Sequence, residues 1–498
     1  MSIRLSKLLA IPPRQCPPDP EIQGIAMDSR RVEPGYLFLA CRGTEAHGLS
    51  FIREAEERGA IAVAWEPCER FPVAETSLPA VKVSGLSAQV GQIAARFYGH
   101  PSRELFVMGV TGTDGKTSCV HLAAQVADAL GRRCGMLGTI GFGFLGELQP
   151  ATHTTPDPVA LQGWLRRLVD GGADALAMEV SSHALDQGRI AGVELDVAIY
   201  TNLSRDHLDY HGDLVNYARA KRRLLEWEGL EAVLVNIDDD QGRAWARDFA
   251  ASRPLISYSI KEAPPGPRFL RAEDLRRTPD GLAFTLRSET ESVPVSCGLI
   301  GRFNVYNLLA VAGTWQAAGL SLANIAAAMS GVTTVPGRIE AFRAEGQPLV
   351  VVDYAHTPGA LIQVLAAVAE HAPAGGRITC VFGCGGNRDA GKRPQMVAAA
   401  AARADLLVLT DDNPRFESPQ DIVADMLEGM PAGQDYVVIH DRATAIDHAI
   451  RQAGPEDVVV VAGKGHETTQ QVGSERREFS DRRQVAKCLG REDLACSA

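Results

Sequence analysis

Short apolar runs, each bounded by glycine, proline or polar residues, recur along the whole chain. Between residues 1 and 98 they mix with helical patterns: Tyr36-Leu-Phe-Leu-Ala40 is continuously apolar in the manner of a strand, and Phe51 to Gly59 is a helix closed by its glycine. A polar, proline-bearing stretch, Gly99-His-Pro-Ser-Arg-Glu104, has the composition of a linker and precedes the apolar run Leu105-Phe-Val-Met-Gly-Val110. From 105 onward, apolar runs such as Ala175–Met178 and Ala232–Asn236 alternate with longer helical patterns, the signature of a mostly parallel sheet covered on both faces. The segment Val332-Thr-Thr-Val-Pro-Gly-Arg338 breaks this rhythm and opens a second series, with strands expected at Leu349–Val352, Ile378–Phe382, Leu406–Thr410, Tyr436–Ile439 and Val458–Val461. The expected fold is α/β in three domains: a small α/β domain over 1–98, a central parallel sheet over 99–335, and a Rossmann-like α/β domain over 336–498.

Length agrees with that division, because 498 residues exceed what one core serves and about 150 residues make a typical domain. A formal net charge of -11 excludes a sequence-independent nucleic-acid binder, which needs surplus Lys and Arg to displace phosphate counterions. The short apolar cluster Leu8-Leu-Ala10 is too small for a signal peptide, and no apolar run is long enough to span a bilayer. The ten cysteines lack CxxC pairing or histidine partners at zinc spacing, so they are expected to be reduced thiols of a cytoplasmic protein.

The chemistry begins at Gly109-Val-Thr-Gly-Thr-Asp-Gly-Lys-Thr-Ser118. An apolar strand, a turn carrying Gly112, Thr113, Asp114 and Gly115, and a helix expected from Thr117 to about Leu130 would aim several N–H groups and a helix N-terminus at one phosphate. Lys116 would then reach the β- and γ-phosphates, and the Thr117 hydroxyl would hold Mg²⁺, with Ser118 beside it. The spacing departs from the strict Walker A pattern, because Val110 follows a first glycine that lies one residue early. Phosphoryl transfer brings anions together and calls for further groups around the cation. Glu179 and His207 follow predicted strands and are candidates. In the last third, polar clusters at Asp353–His356, Gly383–Arg393, Asp411–Arg415 and Gly463–Glu467 each follow a strand, where open α/β sheets bind ligands.

Seven motifs in order, Gly112-Thr-Asp-Gly-Lys-Thr117, His153-Thr-Thr-Pro156, Glu179-Val-Ser-Ser-His183, Thr201-Asn-Leu-Ser-Arg-Asp-His-Leu-Asp-Tyr-His211, Gly301-Arg-Phe-Asn-Val-Tyr-Asn307, Pro336-Gly-Arg338 and Asp353-Tyr-Ala-His-Thr-Pro358, make the chain resemble the Mur ligases over nearly its whole length. Asp412-Asn-Pro-Arg415 and Gly463-Lys-Gly-His-Glu467 resemble the members that add the third amino acid of the peptidoglycan precursor. The resemblance implies ATP-dependent amide synthesis: a D-glutamyl carboxylate becomes an acyl phosphate, and an amine displaces the phosphate. It assigns the first domain to the UDP-muramoyl substrate, the central one to ATP and the last to the amino acid. It further implies Lys116, Glu179, His207 and Lys221 as catalytic residues, with Thr117, Glu179, His207 and a CO₂-derived carbamate on Lys221 as metal ligands. Read without the resemblance, Lys221 belongs to a basic, solvated helix face.

By the same resemblance, Asn304, Arg338 and Asp353 join the loop in binding ATP, although a helix N-cap is the alternative role for Asn304. Ser29, Thr44, Glu45, Thr154, Thr155, Ser181, Gln187 and Arg189 take the nucleotide-sugar; His153, Thr44 and Glu45 depart from the usual family residues. Arg388, Asp412, Asn413, Pro414, Arg415, Gly463 and Glu467 take diaminopimelate, with arginine clamping its distant carboxylate. Small-molecule substrates, a monomer, no nucleic acid and no membrane insertion complete the expectation. The rival readings are folylpolyglutamate synthetase, which shares the phosphate loop, and a non-catalytic nucleotide switch.

Overall fold

A computed structural model describes residues 2–491 except 17, 44, 45, 152, 262–267, 279–280, 371 and 374. Thr44 and Glu45, expected to bind the nucleotide-sugar, lie outside these described residues. The chain forms two compact units, one made of Met1–Gly109, Arg132–Ala198 and Arg223–Glu231, the other of Val110–Gly131, Ile199–Arg222 and Ala232–Ala498.

The first unit contains a parallel sheet in the order Gly24–Ala26, Tyr36–Ala40, Ala62–Trp65 and Ala80–Lys82. Side chains alternate across it: Leu37 and Leu39 join a core with Leu5, Leu8, Ile93 and Phe97, whereas Phe38 and Ala40 join a second core with Val32, Leu49 and Trp65. Burial on both faces is why Tyr36–Ala40 shows no polar alternation. The stretch expected to be a linker is instead a 3₁₀ turn over Pro101–Glu104 with Pro101 and Ser102 buried. Ser102 Oγ accepts from Glu194 N at 3.1 Å, and Glu104 pairs with Arg166 at 2.6 Å. Polar composition signalled a break in regular structure, and tertiary contacts ordered it. Elsewhere in this unit Cys134–Leu137 and Ala175–Glu179 pair in parallel.

In the second unit the helix Lys116–Ala129 packs on Arg302–Ala317, and Trp315 Nε1 donates to Ala123 O at 3.2 Å. Gly301 caps the latter helix, so Asn304 lies inside its first turn; the N-cap alternative for Asn304 does not hold. The parallel pair Ala232–Asn236 and Leu255–Ser259 continues into Phe269–Thr278 and then an antiparallel meander through Gly281–Arg287 and Ser292–Cys297.

The last sheet runs Glu340–Phe342, Leu349–Asp353, Val458–Ala462, Ile378–Phe382, Leu406–Leu409, Asp435–Val438, parallel apart from its first strand. The strand latest in sequence, Val458–Ala462, inserts between the two that begin the parallel series. The loop after it therefore lies between those after Asp353 and Phe382, and four polar loops gather at one sheet edge. Every described cysteine is a free thiol, and no described helix is long and apolar enough to cross a membrane.

Candidate active site

The phosphate loop is held from below by the strand-end residues Thr201 and Asn202. Thr113 N donates to Asn202 O and Asp114 N to Asn202 Oδ1, both at 2.9 Å, while Thr201 Oγ1 donates to Asp114 O at 2.6 Å. Gly112 has φ +151°, and a Cβ there would fall 1.8 Å from Thr201 Oγ1, so only glycine fits. Gly115, in the left-handed region, caps the helix that starts at Lys116. Lys116 Nζ curls back onto the carbonyls of Gly112 (2.9 Å) and Thr113 (2.8 Å).

Lys221, expected on a solvated face from sequence alone, is buried. Its Nζ donates to Gly112 O at 2.6 Å and lies 4.2 Å from the centre of the Tyr217 ring, whose hydroxyl is 3.3 Å from Thr113 Oγ1. Burial, reinforced by Lys116, holds its ionisation well below that of an ordinary lysine.

A cleft of about 240 Å³ opens beside the loop, lined by Asp114, Gly115, Ser118, Tyr306, Arg338 and Asp353 among others. Asn307 is on its wall, and Asn304 lies behind, accepting from Asn307 Nδ2 at 3.0 Å. Arg338 donates to Thr117 Oγ1 at 3.2 Å and stacks 4.5 Å from the Tyr354 ring centre. The Asp353 carboxylate accepts from Ile339 N (2.7 Å) and Ala355 N (2.6 Å); burial pushes its ionisation up, against the pull of Arg338. Asp353 thus fixes the backbone that presents Arg338.

His207 has φ +52° and its Nε2 is 3.4 Å from Asp206 Oδ2, with His356 Nε2 at 3.9 Å from the same oxygen. Burial raises the Asp206 carboxyl, but His356, His207 and Lys392 outweigh it and hold it at about 2. Asp206 and His356 belong to the Thr201–His211 and Asp353–Pro358 segments, and nothing local in the sequence pairs residues that lie so far apart.

In the first unit, Glu179 is buried at a strand end and accepts from Thr139 N at 2.7 Å and Thr139 Oγ1 at 3.2 Å. Thr154 Oγ1 is 3.1 Å from Thr139 Oγ1, Thr155 Oγ1 donates to Glu179 O at 2.9 Å, and Ser181 N donates to Thr155 Oγ1 at 3.1 Å. Arg189 reaches Thr155 O at 2.9 Å and Gln187 Oε1 at 2.7 Å. Six expected residues are therefore one hydrogen-bonded group. Ser29 stands apart from it, donating to Glu54 Oε2 at 2.6 Å in a cavity of about 500 Å³ that Met27, Arg30 and Phe51 also line.

At the edge of the last sheet the 383–393 and 411–415 loops lie against each other. A Cβ on Gly386 would fall 1.9 Å from Pro414 O, a contact only a glycine permits. Arg415, at φ +53°, donates from Nη1 to Gly386 O at 2.8 Å; its backbone is fixed by Gln471 O and Gly473 N. Burial, then the neighbouring Arg388, pulls its ionisation down. Asn413 Nδ2 donates to Glu467 Oε2 at 3.1 Å, Gln470 Nε2 donates to Asp412 O at 2.8 Å, and Gly463 N donates to Asp353 O at 3.1 Å. Beneath lie two arginines without expected roles. Arg393 pairs with Glu417 at 2.6 Å and Asp425 at 2.7 Å, and Glu417 accepts from Asn387 N at 2.8 Å beside Arg388. Arg442 and Asp481 form a fully buried pair at 2.7 Å, with Arg442 Nη2 also on Ala462 O.

The donor chemistry suits Mg²⁺, which takes one or two protein carboxylates or hydroxyls together with substrate phosphates and water. The Thr117 hydroxyl at the head of the loop is a group of that kind; in the first unit, taken by itself, so is the ordered Glu179 carboxylate. Among the described residues no cluster of three or more His, Cys, Asp or Glu forms a ready-made cage.

A strand–phosphate-loop–helix unit joined to a parallel sheet with a polar ligand edge defines a nucleotide-using α/β enzyme. Residues 21–98 match the Mur ligase family catalytic domain, 110–315 the Mur ligase middle domain, and 337–465 the Mur ligase glutamate ligase domain. The chain belongs to the Mur ligase family. It is 49% identical over 485 residues to UDP-N-acetylmuramoyl-L-alanyl-D-glutamate–2,6-diaminopimelate ligase of Alkalilimnicola ehrlichii, covering 96% of each chain, and 46% identical to the protein of that name in Pseudomonas putida, covering 98% of each. A solved structure of an enzyme with the same name matches with TM-score 0.68 and 35% identity over 99% of this chain and all of that one. Folylpolyglutamate synthase of Mycobacterium tuberculosis, at TM-score 0.62 and 17% identity over 76% of this chain and 93% of that one, shares the fold alone.

Proposed function

We propose that the chain is an ATP-dependent ligase that joins meso-2,6-diaminopimelate to the D-glutamate of UDP-N-acetylmuramoyl-L-alanyl-D-glutamate, in the cytoplasmic synthesis of peptidoglycan precursor. The observation that carries this reading is the cluster on the last sheet edge: a half-buried guanidinium, Arg415, beside Arg388 and near the carboxylates of Asp412 and Glu467. Such a mixed set suits a zwitterionic amino acid centre, with the arginines on its carboxylate and the acids on its ammonium. The names borne by relatives 46–49% identical across nearly the whole chain support the same substrate.

In this reading the domains comprise 1–98, 99–335 and 336–498. Ser29 and the Glu179-linked group of Thr154, Thr155, Ser181, Gln187 and Arg189 hold the UDP-muramoyl dipeptide. The phosphate loop, with Arg338 and Asp353, holds ATP. Lys116 draws the γ-phosphate toward the D-glutamyl carboxylate, whose oxygen attacks phosphorus while ADP leaves; positioning and charge neutralisation are the protein's whole contribution. The amine of diaminopimelate, unprotonated, then attacks the acyl carbon, phosphate departs, and the amide forms. Mg²⁺, held by Thr117, Glu179 and His207, would supply charge neutralisation between the two anions. Lys221 completes that set as a carbamate: its buried, depressed amine has the lone pair needed to attack CO₂, losing a proton in exchange for a carboxylate-like group. The protein acts as a monomer on small molecules.

The test is phosphate release from ATP with the UDP-muramoyl dipeptide and either diaminopimelate or lysine. Release that depends on the dipeptide and on diaminopimelate, and is weak with lysine, is expected. Release without an amino acid, or equal use of lysine, defeats the reading.

A further inference from the structure

Lys464 is the second residue of Gly463-Lys-Gly-His-Glu467, and its side chain is fully buried. A buried ammonium must have its donors met and its charge countered. Its partners come from two loops: Glu467 Oε2 at 2.7 Å and Asn413 Oδ1 at 3.2 Å. Asn413 in turn donates from Nδ2 to the same Glu467 Oε2 at 3.1 Å, and its Oδ1 also accepts from Gln471 N at 2.9 Å. Both donors thus fall on one carboxylate oxygen. Glu467 Oε1 receives no hydrogen bond from any described residue, and the side chain is 31% exposed, so this oxygen is left for a ligand. The same contacts fix which way the Asn413 amide faces, since its oxygen takes two donors and its nitrogen points to Glu467.

We propose that Lys464 is a positioning residue for amino acid selection: it locks Glu467 and Asn413 so that Glu467 Oε1 meets the distal ammonium of the incoming diamino acid. This rests on the diaminopimelate reading above. Without the Lys464 ammonium, Glu467 loses its strongest restraint and Asn413 Oδ1 keeps only the Gln471 N–H. Two loops that follow different strands, Leu406–Leu409 and Val458–Ala462, then lose the charge that joins them.

A ratio isolates this role. Diaminopimelate and 2-aminopimelate share chain and carboxylates, but 2-aminopimelate has no distal ammonium. In Lys464→Met the preference for diaminopimelate over 2-aminopimelate in kcat/KM should fall roughly tenfold or more, the worth of an ordered hydrogen bond to a charge, with KM for ATP changed less than twofold. A folded Lys464→Met with the wild-type ratio overturns the proposal. Where that variant does not fold, Lys464→Gln, which keeps a polar group in the space, is judged on the same ratio. Wild-type protein that shows no preference for diaminopimelate over lysine refutes the functional reading instead, and the two failures are separable.

Discussion

Arg415→Ala removes the group on which the proposed choice of amino acid depends. The backbone at 415 has φ +53° whether the side chain is Arg or Ala, and Gln471 O and Gly473 N hold it either way, so the substitution adds no strain. Within the protein the guanidinium donates from Nη1, to Gly386 O at 2.8 Å and, at longer range, to Asn413 O at 3.5 Å. Its remaining donors are available for the substrate's distal carboxylate. A charge-assisted pair of that kind in a half-buried setting contributes about 2 to 3 kcal/mol. At about 1.4 kcal/mol per factor of ten, that is roughly a 30- to 150-fold loss of kcat/KM for diaminopimelate. In the proposed reading ATP is bound by other loops, so its KM should change less than about twofold; Arg415→Lys, which keeps charge without the fork, should fall between wild type and Ala. Steady-state phosphate release at varied diaminopimelate and varied ATP measures both. Equal losses for the two substrates would refute the reasoning, because they would mean that Arg415 supports the fold and not the ligand.

Lys221→Ala should abolish ligation and regain part of it in short-chain carboxylic acids such as acetate, which would occupy the place of the proposed carbamate; full activity without rescue agents argues against that carbamate. In Gly112→Ala the Cβ meets Thr201 Oγ1 in a left-handed backbone, and displacing the loop by about 1 Å should lower turnover on the order of a hundredfold; turnover near wild type would show that the loop does not position the phosphates. Asp481→Ala leaves Arg442 buried without its bidentate partner and should destabilise the last sheet by about 3 to 5 kcal/mol in urea unfolding; a loss under about 1 kcal/mol would mean that water or another group satisfies the guanidinium.

The local features of this protein were legible in its sequence. Largely apolar runs such as Ile378–Phe382 and Ala232–Asn236 coincide with strands to the residue, because a strand buried on both faces calls for apolar side chains at most of its positions. The glycine-spaced loop at 112–117 was visible because a tight phosphate turn demands its residues consecutively. Where a role depends on distant partners, the sequence was silent or misleading. Lys221 has the surroundings of a solvated helix face, yet the fold closes over it 109 residues from the Gly112 carbonyl it meets. Asn304 and Asn307 share one helix, and only packing decides which of them reaches the cleft. Arg442 with Asp481, Arg393 with Glu417, and Lys464 with Asn413 are paired by strand order, and strand order is a property of the whole sheet. Composition and periodicity determined the elements and the phosphate loop, since these follow from interactions among near neighbours. The burial of charges and the aim of each site side chain were decided only when non-local strands came together and excluded water.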